Sequence, residues 1–299
     1  MNNIDLREFV REMRENYLSL IPSAGSPDPV ADVRVIAVPA STTPQREVSV
    51  RAYQPLAAGS GPHPIMVFVH GGGFSAGDLD THDVLCRALA NGAGVIVLSV
   101  DWRLAPEHQF PAGIDDVYEV LTWAHRHGES IGGDTSRLVI CGDSAGGNLA
   151  AGIAILARDR NGPTIAAQLL FYPTVSNKMD TPSWAEFGDT NFPTRTVMTN
   201  VIAAYVPDDV GVFDPRVAPL WANLENLPPA LVQVGEHDPL RDECLAYGAA
   251  LTRAGGTAEV KVYSGAEHGF IQFFKDTSTH PEGKRGVDDA TKFLRDVLA

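Results

Sequence analysis

The sequence predicts an α/β fold with a mostly parallel central sheet of about eight strands flanked by helices. Three observations point there. Apolar runs of strand length alternate with helix-length segments along nearly all 299 residues. The runs are rich in Val, Ile and Leu without a period of two, as strands buried on both faces are. No repeat and no low-complexity tract interrupts the alternation.

In chain order, Phe9, Val10, Met13, Tyr17 and Leu18 recur at helical spacing, which predicts an amphipathic helix over 5–20 packed onto apolar surface. Two more polar strands follow at 33–38 and 48–53. Strands at 65–69, 95–100, 138–141 and 167–171 then alternate with helices at 81–91, 113–127 and 145–160. From 176 to 212 the rhythm breaks, and Pro, Asp, Thr and aromatic residues replace the strand pattern. Within it Val197, Met198, Val201, Ile202 and Tyr205 mark another helix. Strand 231–234, helix 240–254, strand 259–263 and helix 287–298 complete the series. We expect one domain over 1–299, with about 1–45 and about 176–212 forming a helical cap.

With 44% hydrophobic residues the chain can bury a large core without disulfides. Its three cysteines, Cys86, Cys141 and Cys244, are widely spaced and suit neither a disulfide framework nor a zinc site. The formal charge of -14 repels phosphate backbones and anionic head groups, so neither nucleic acid nor stable membrane insertion is expected. No apolar stretch reaches membrane-helix length, and the first residues, Met1-Asn2-Asn3-Ile4-Asp5-Leu6-Arg7-Glu8, are charged rather than signal-like. The expectation is a cytoplasmic protein.

The chemistry concentrates in 138–149. There a buried strand ends in Gly142, turns at Ser144 and continues as an Ala-rich helix. Gly-x-Ser-x-Gly alone is a weak signal in a chain with 28 glycines. Its place between strand and helix strengthens it, because a nucleophilic serine in a tight turn needs small neighbours. His70-Gly71-Gly72-Gly73 follows the strand at 65–69, where glycines let backbone N–H groups approach a carbonyl oxygen. The N–H groups of Gly71, Gly72 and Ala145 are the expected oxyanion donors.

Serine also needs a histidine base and an acid that holds the base in the right tautomer. Asp238 follows the strand at 231–234 and His268 follows the strand at 259–263, on the edge where parallel sheets place their ligands. Among the competitors, His237 should point the other way from Asp238 if the strand's alternation persists, Glu236 depends on the same alternation, and Asp242 and Glu243 lie near as alternatives for the acid. His125 and His127 sit at a helix C-terminus, and His63, His82, His108 and His280 have no comparable context.

With these residues the chain resembles the hormone-sensitive lipase family of esterases, a branch of the α/β-hydrolases, from about residue 64 to 275. The similar blocks are His70 to Gly73, Gly142 to Gly147, Asp101-Trp102-Arg103-Leu104-Ala105-Pro106-Glu107-His108-Gln109-Phe110-Pro111-Ala112, Asp238 to Glu243, and His268-Gly269-Phe270. The resemblance implies a cap from the two irregular segments and hydrolysis of short to medium acyl esters without cofactor or metal. It also makes a homodimer through the edge strand 259–263 plausible. Trp102 stands where the family usually has Tyr, which implies altered packing. Asp101 and Arg103 are expected to brace the glycine loop.

An amidase, an arylacetamide-type deacetylase or an acyltransferase would use the same triad. A small-ligand receptor on this fold is the non-enzymatic alternative; receptors resembling this family have lost the histidine that is present here as His268. Met13, Tyr17, Phe187, Phe192, Met198 and Tyr205 are the apolar candidates for the pocket wall.

Overall fold

The computed structural model describes residues 5–41, 46–56 and 61–299. Residues 1–4 and 42–45 of the expected cap segment, and with them the start of the charged N-terminal stretch, lie outside the described residues.

Eight strands form one sheet: β1 (Asp32–Pro39), β2 (Glu47–Gln54), β3 (His63–Val69), β4 (Ile96–Asp101), β5 (Gly133–Asp143), β6 (Ile165–Phe171), β7 (Ala230–Gly235) and β8 (Ala258–Tyr263). Their order is β1-β2-β4-β3-β5-β6-β7-β8. β2 pairs antiparallel with both β1 and β4, and every pair from β4 to β8 is parallel. The continuous apolar runs are explained by this layout. Ile65 to Val69, Ile96 to Val100 and Leu138 to Cys141 are buried throughout, since helices cover both faces of the central strands. β1 and β8 stand at the two edges, and both are largely exposed or half-buried. β5 starts earlier than the apolar pattern indicates. Gly133 and Asp134 already pair with β3 ahead of a register shift, and polar residues there hide the strand.

The helices are α1 (Leu6–Ser19), α2 (Asp83–Ala93), α3 (Ala112–His127), α4 (Ala145–Asp159), α5 (Pro182–Phe187), α6 (Arg195–Tyr205), α7 (Arg241–Arg253) and α8 (Gly283–Val297). α2 packs on α8 and α3 on α4, while α7 lies along β7 and β8. Because β5, β7 and β8 run parallel, their C-terminal ends reach the same edge of the sheet.

α1 and α6 pack against each other over that edge. Asp5 starts α1 by accepting the Arg7 N–H at 3.0 Å, and Thr194 starts α6 by accepting the Val197 N–H at 3.3 Å. Arg14 ties α1 down through Ser75 O (2.7 Å), Ala105 O (3.1 Å) and a fork onto Glu107 (2.8 and 2.7 Å). The end of α6 is held by Gln109 Nε2 on Ala204 O (3.1 Å) and Phe110 N on Tyr205 O (2.9 Å). Phe74 stacks on Tyr205 with ring centroids 4.0 Å apart. Residues 101–112 therefore anchor both helices.

The centre of the sheet should dominate stability. Phe68, fully buried on β3, is expected to cost about 3–5 kcal/mol when truncated to Ala, read as a lower denaturant midpoint. An unshifted midpoint would contradict this placement of the core.

Candidate active site

Ser144 stands between the last residue of β5 and the first of α4, with φ 53° and ψ -118°. For a residue with a Cβ that conformation costs about 1–3 kcal/mol, so its surroundings must hold it. They do so through Ser144 N on Phe171 O (2.9 Å) and Asn148 N on Ser144 O (3.0 Å). Gly146 makes the turn sterically possible. A Cβ there would strike the carbonyl oxygens of Val69 and His70, so only glycine lets the start of α4 lie against the end of β3. The turn presents Oγ beside the positive end of α4.

His268 Nε2 lies 2.9 Å from Ser144 Oγ, and His268 Nδ1 lies 2.8 Å from Asp238 Oδ2. Asp238 is fully buried, and its other oxygen accepts the Leu240 N–H at 2.8 Å. The imidazole is flanked by Tyr172 at 4.6 Å and Phe192 at 5.7 Å, which leaves little room for it to swing away. The structure thus brings Ser144, His268 and Asp238 into one hydrogen-bonded line. The competing acids are engaged elsewhere. Glu236 accepts from Ser264 and the Gly265 N–H, and Asp242 accepts from the Ser183 N–H. Glu243 accepts from the Val175 and Ser176 N–H groups, with burial pushing its carboxyl up to about 7. His237 packs on Phe187 at 5.4 Å.

The glycine loop requires a correction. The Gly71 N–H was an expected oxyanion donor, but it donates to Asp143 Oδ1 at 2.8 Å and is spent there. Gly72 and Gly73 line the cavity together with Ser144. Their φ angles are 118° and 57°, and the turn is closed by Ser75 N and Ala76 N on Gly72 O at 3.1 and 2.8 Å. Among the described residues no acceptor meets the N–H of Gly72, Gly73 or Ala145. Gly73, rather than Gly71, lines the cavity beside Gly72. The glycine run is plain in the sequence, but nothing in it shows which N–H the neighbouring carboxylate captures.

The braces of this loop also differ from those expected. Arg103 turns to Asp116 (2.9 Å) and Ala112 O (3.1 Å), and Asp101 is exposed at the end of β4, so neither supports the glycines. Trp102 does, stacking on His70 at 5.1 Å. Burial, and secondarily the neighbouring His82, hold the His70 imidazole down to about 4. His82 itself, given no role from sequence, is buried with Nε2 3.1 Å from Asp143 Oδ1.

A cavity of about 410 Å³ opens above Ser144. Met13 and Tyr17 of α1, Phe192, and Met198 and Val201 of α6 form much of its apolar wall. Phe187 and Tyr205, also wall candidates, pack instead on His237 and Phe74. Larger clefts between α1 and 106–107, beside α4, and at the C-terminal end of α4 against 226–228 hold none of the triad groups. Among the described residues no group of three or more His, Cys, Asp or Glu side chains is placed to hold a metal ion. No helix among them is long and apolar enough to cross a membrane.

Residues 66–272 match the alpha/beta hydrolase fold family. Carboxylesterase NlhH of Mycobacterium tuberculosis is 44% identical over 76% of this chain and 72% of its own length. Carboxylic ester hydrolase LipN of the same organism is 39% identical over 88% of this chain and 70% of its own. The thermostable carboxylesterase EstE1, cloned from a metagenomic library, superposes with a TM-score of 0.90 at 34% identity, covering 99% of this chain and 98% of that one.

The buried, neutral His70 carries a pH dependence. Its pKa in the fold lies below the unfolded value of about 6.5, so its contribution to stability is complete above that pH and is lost as pH falls toward about 4. The loss amounts to at most about 3 kcal/mol. His70→Asn removes the titration. Urea midpoints between about pH 7 and pH 4.5 should fall more steeply for the wild type than for the variant, and parallel slopes would count against the assignment.

Proposed function

We propose that this chain, a carboxylesterase that belongs to the alpha/beta hydrolase family and within it to the hormone-sensitive-lipase-like esterases, cleaves its ester through an acyl-enzyme on Ser144. One observation carries the mechanism: Ser144 Oγ, His268 and Asp238 stand in line at 2.9 and 2.8 Å. Serine at its ordinary pKa is a weak nucleophile, and a hydrogen-bonded imidazole is the group that relieves it of its proton. Oγ attacks the ester carbonyl carbon while Nε2 takes that proton. Asp238 holds Nδ1–H and stabilises the imidazolium that forms.

As the carbonyl oxygen gains charge it meets the N–H groups of Gly72, Gly73 and Ala145. Such donors are worth about 3–4 kcal/mol each in other serine hydrolases, because they are already oriented when the charge develops. Collapse of the tetrahedral intermediate breaks the bond to the alkoxy oxygen, which leaves as alcohol with the proton from Nε2. Water then attacks the acyl-serine with His268 again as base, which releases the acid and restores Ser144.

We read α1 and residues 176–212 as a cap, because side chains from both wall the cavity over the serine. The apolar wall and the room of about 410 Å³ suit a short to medium acyl chain together with its alcohol. The substrate is a small ester. A homodimer through β8 is part of the same reading, since β8 pairs with β7 on one side and ends the sheet on the other.

A fluorophosphonate probe should label the wild type covalently and leave Ser144→Ala unlabelled; label retained in the variant would remove Ser144 from the mechanism. Against p-nitrophenyl esters of increasing chain length, kcat/KM should peak at short to medium acyl groups. A clear preference for palmitate over butyrate would overturn the size argument.

A further inference from the structure

His82 has no place in the mechanism above, yet it is buried a few ångströms beneath it. It directly precedes α2, and its ring is enclosed by Phe68 of β3 at 5.7 Å, His70 at 5.8 Å and Tyr17 of α1 at 6.2 Å. Nδ1 lies 2.9 Å from Thr81 Oγ1. Nε2 lies 3.1 Å from Asp143 Oδ1, the same oxygen that accepts the Gly71 N–H at 2.8 Å. Asp143 adjoins Ser144 in sequence, and Gly71 precedes Gly72 and Gly73, which line the cavity. A carboxylate buried this far survives as an anion only where donors compensate it. Burial would raise Asp143, but the His82 ring and the Gly71 N–H outweigh that and hold it below the usual carboxylate range.

A Cβ on Gly71 would collide with Asp143, so loop and carboxylate are in direct contact as well as hydrogen-bonded. Whatever sets the Asp143 rotamer therefore sets where the loop rests. Two elements of the cavity reach the same point. Tyr17 donates to Gln272 Oε1 at 3.2 Å, and Gln272 Nε2 donates to Thr81 O at 3.2 Å.

We propose that His82 is a positioning residue for the oxyanion hole: with Nε2 held 3.1 Å from Asp143 Oδ1 it fixes the carboxylate that captures the Gly71 N–H, and so sets where the N–H groups of Gly72 and Gly73 meet the carbonyl oxygen held over Ser144. This rests on the acyl-enzyme reading. His82 touches no reacting atom. Its loss should loosen the donors for the tetrahedral oxygen while leaving the apolar cavity that binds the ground-state ester intact.

The test compares His82→Phe, which keeps the packed ring and removes the polar contact on Asp143, with His82→Gln, whose amide can reach the Nε2 position. The probes are p-nitrophenyl butyrate and a butyl trifluoromethyl ketone, whose adduct with serine places an oxyanion in the hole. His82→Phe should lower kcat about tenfold to a hundredfold and weaken the ketone by a similar factor, with KM within about threefold of wild type. His82→Gln should recover most of both losses. If His82→Phe does not fold, His82→Asn, too short to reach Asp143, takes its place under the same expectations. Unchanged kcat and ketone affinity in a folded donorless variant, or a fall in kcat without weaker ketone binding, would overturn the proposal. So would a glutamine variant no better than the donorless one. The two readings fail separately: loss of Ser144 labelling in the wild type removes the acyl-enzyme, whereas a labelled wild type with indifferent His82 variants removes only the role of His82.

Discussion

The turn at Ser144 imposes one demand on its surroundings: a side chain must be held at positive φ where the first turn of a helix meets the end of a neighbouring strand. That requires the start of α4 to touch the backbone of β3, which Gly146 permits. Contact between α4 and β3 in turn places the glycine loop, which begins where β3 ends, beside the serine. The serine turn and the glycine loop beside it are therefore products of a single steric arrangement. Asp143 lies at its centre, since its backbone leads into Ser144 and its carboxylate takes the Gly71 N–H.

The parallel sheet supplies the other half. Strands that run the same way deliver the loops after β5, β7 and β8 to one edge, so Ser144, Asp238 and His268 meet although 124 residues separate the first from the last. Covering both faces of those strands is what makes the delivery rigid. The buried runs of β3, β4 and β5 leave their ends little freedom, and the acid is enclosed with Leu240 N–H as a second anchor. Rigid elements below and irregular segments above divide the work between chemistry and shape.

Much of this was legible in the sequence because it rests on local signals. Apolar runs give buried strands, glycines mark close approaches, and the order of serine, acid and histidine follows the order of strand ends. What escaped depends on three-dimensional competition for partners. Nothing local distinguishes Gly71 from Gly73; Asp143 chooses between them, and its rotamer is a tertiary fact. His82 looked unremarkable because its partners come from β3, α1 and the residue before Ser144, far apart in sequence. Arg103 was read toward the nearest functional loop, but the buried Asp116 offers a carboxylate that a guanidinium fork satisfies better. Of the six aromatic and methionine wall candidates, helical spacing could not show that Phe187 and Tyr205 face other rings.

The wall over the serine is held differently from its floor. Val10 is the sole buried residue of α1, and its firmest attachments are the polar bonds of Arg14 to two backbone carbonyls and to Glu107. The Arg14–Glu107 pair is partly exposed, and pairs of that kind contribute little and weaken with salt. With Val10 buried and Phe9 and Met13 only half-buried against the core, α1 rests on less buried apolar surface than β3, β5 and α4, the kind of element that opens first. A cavity built across that difference can keep Ser144, His268 and the glycine loop fixed while its upper wall adjusts. Under the proposed acyl-enzyme mechanism, the acyl preference would then be set by α1, the wall element with a single fully buried residue.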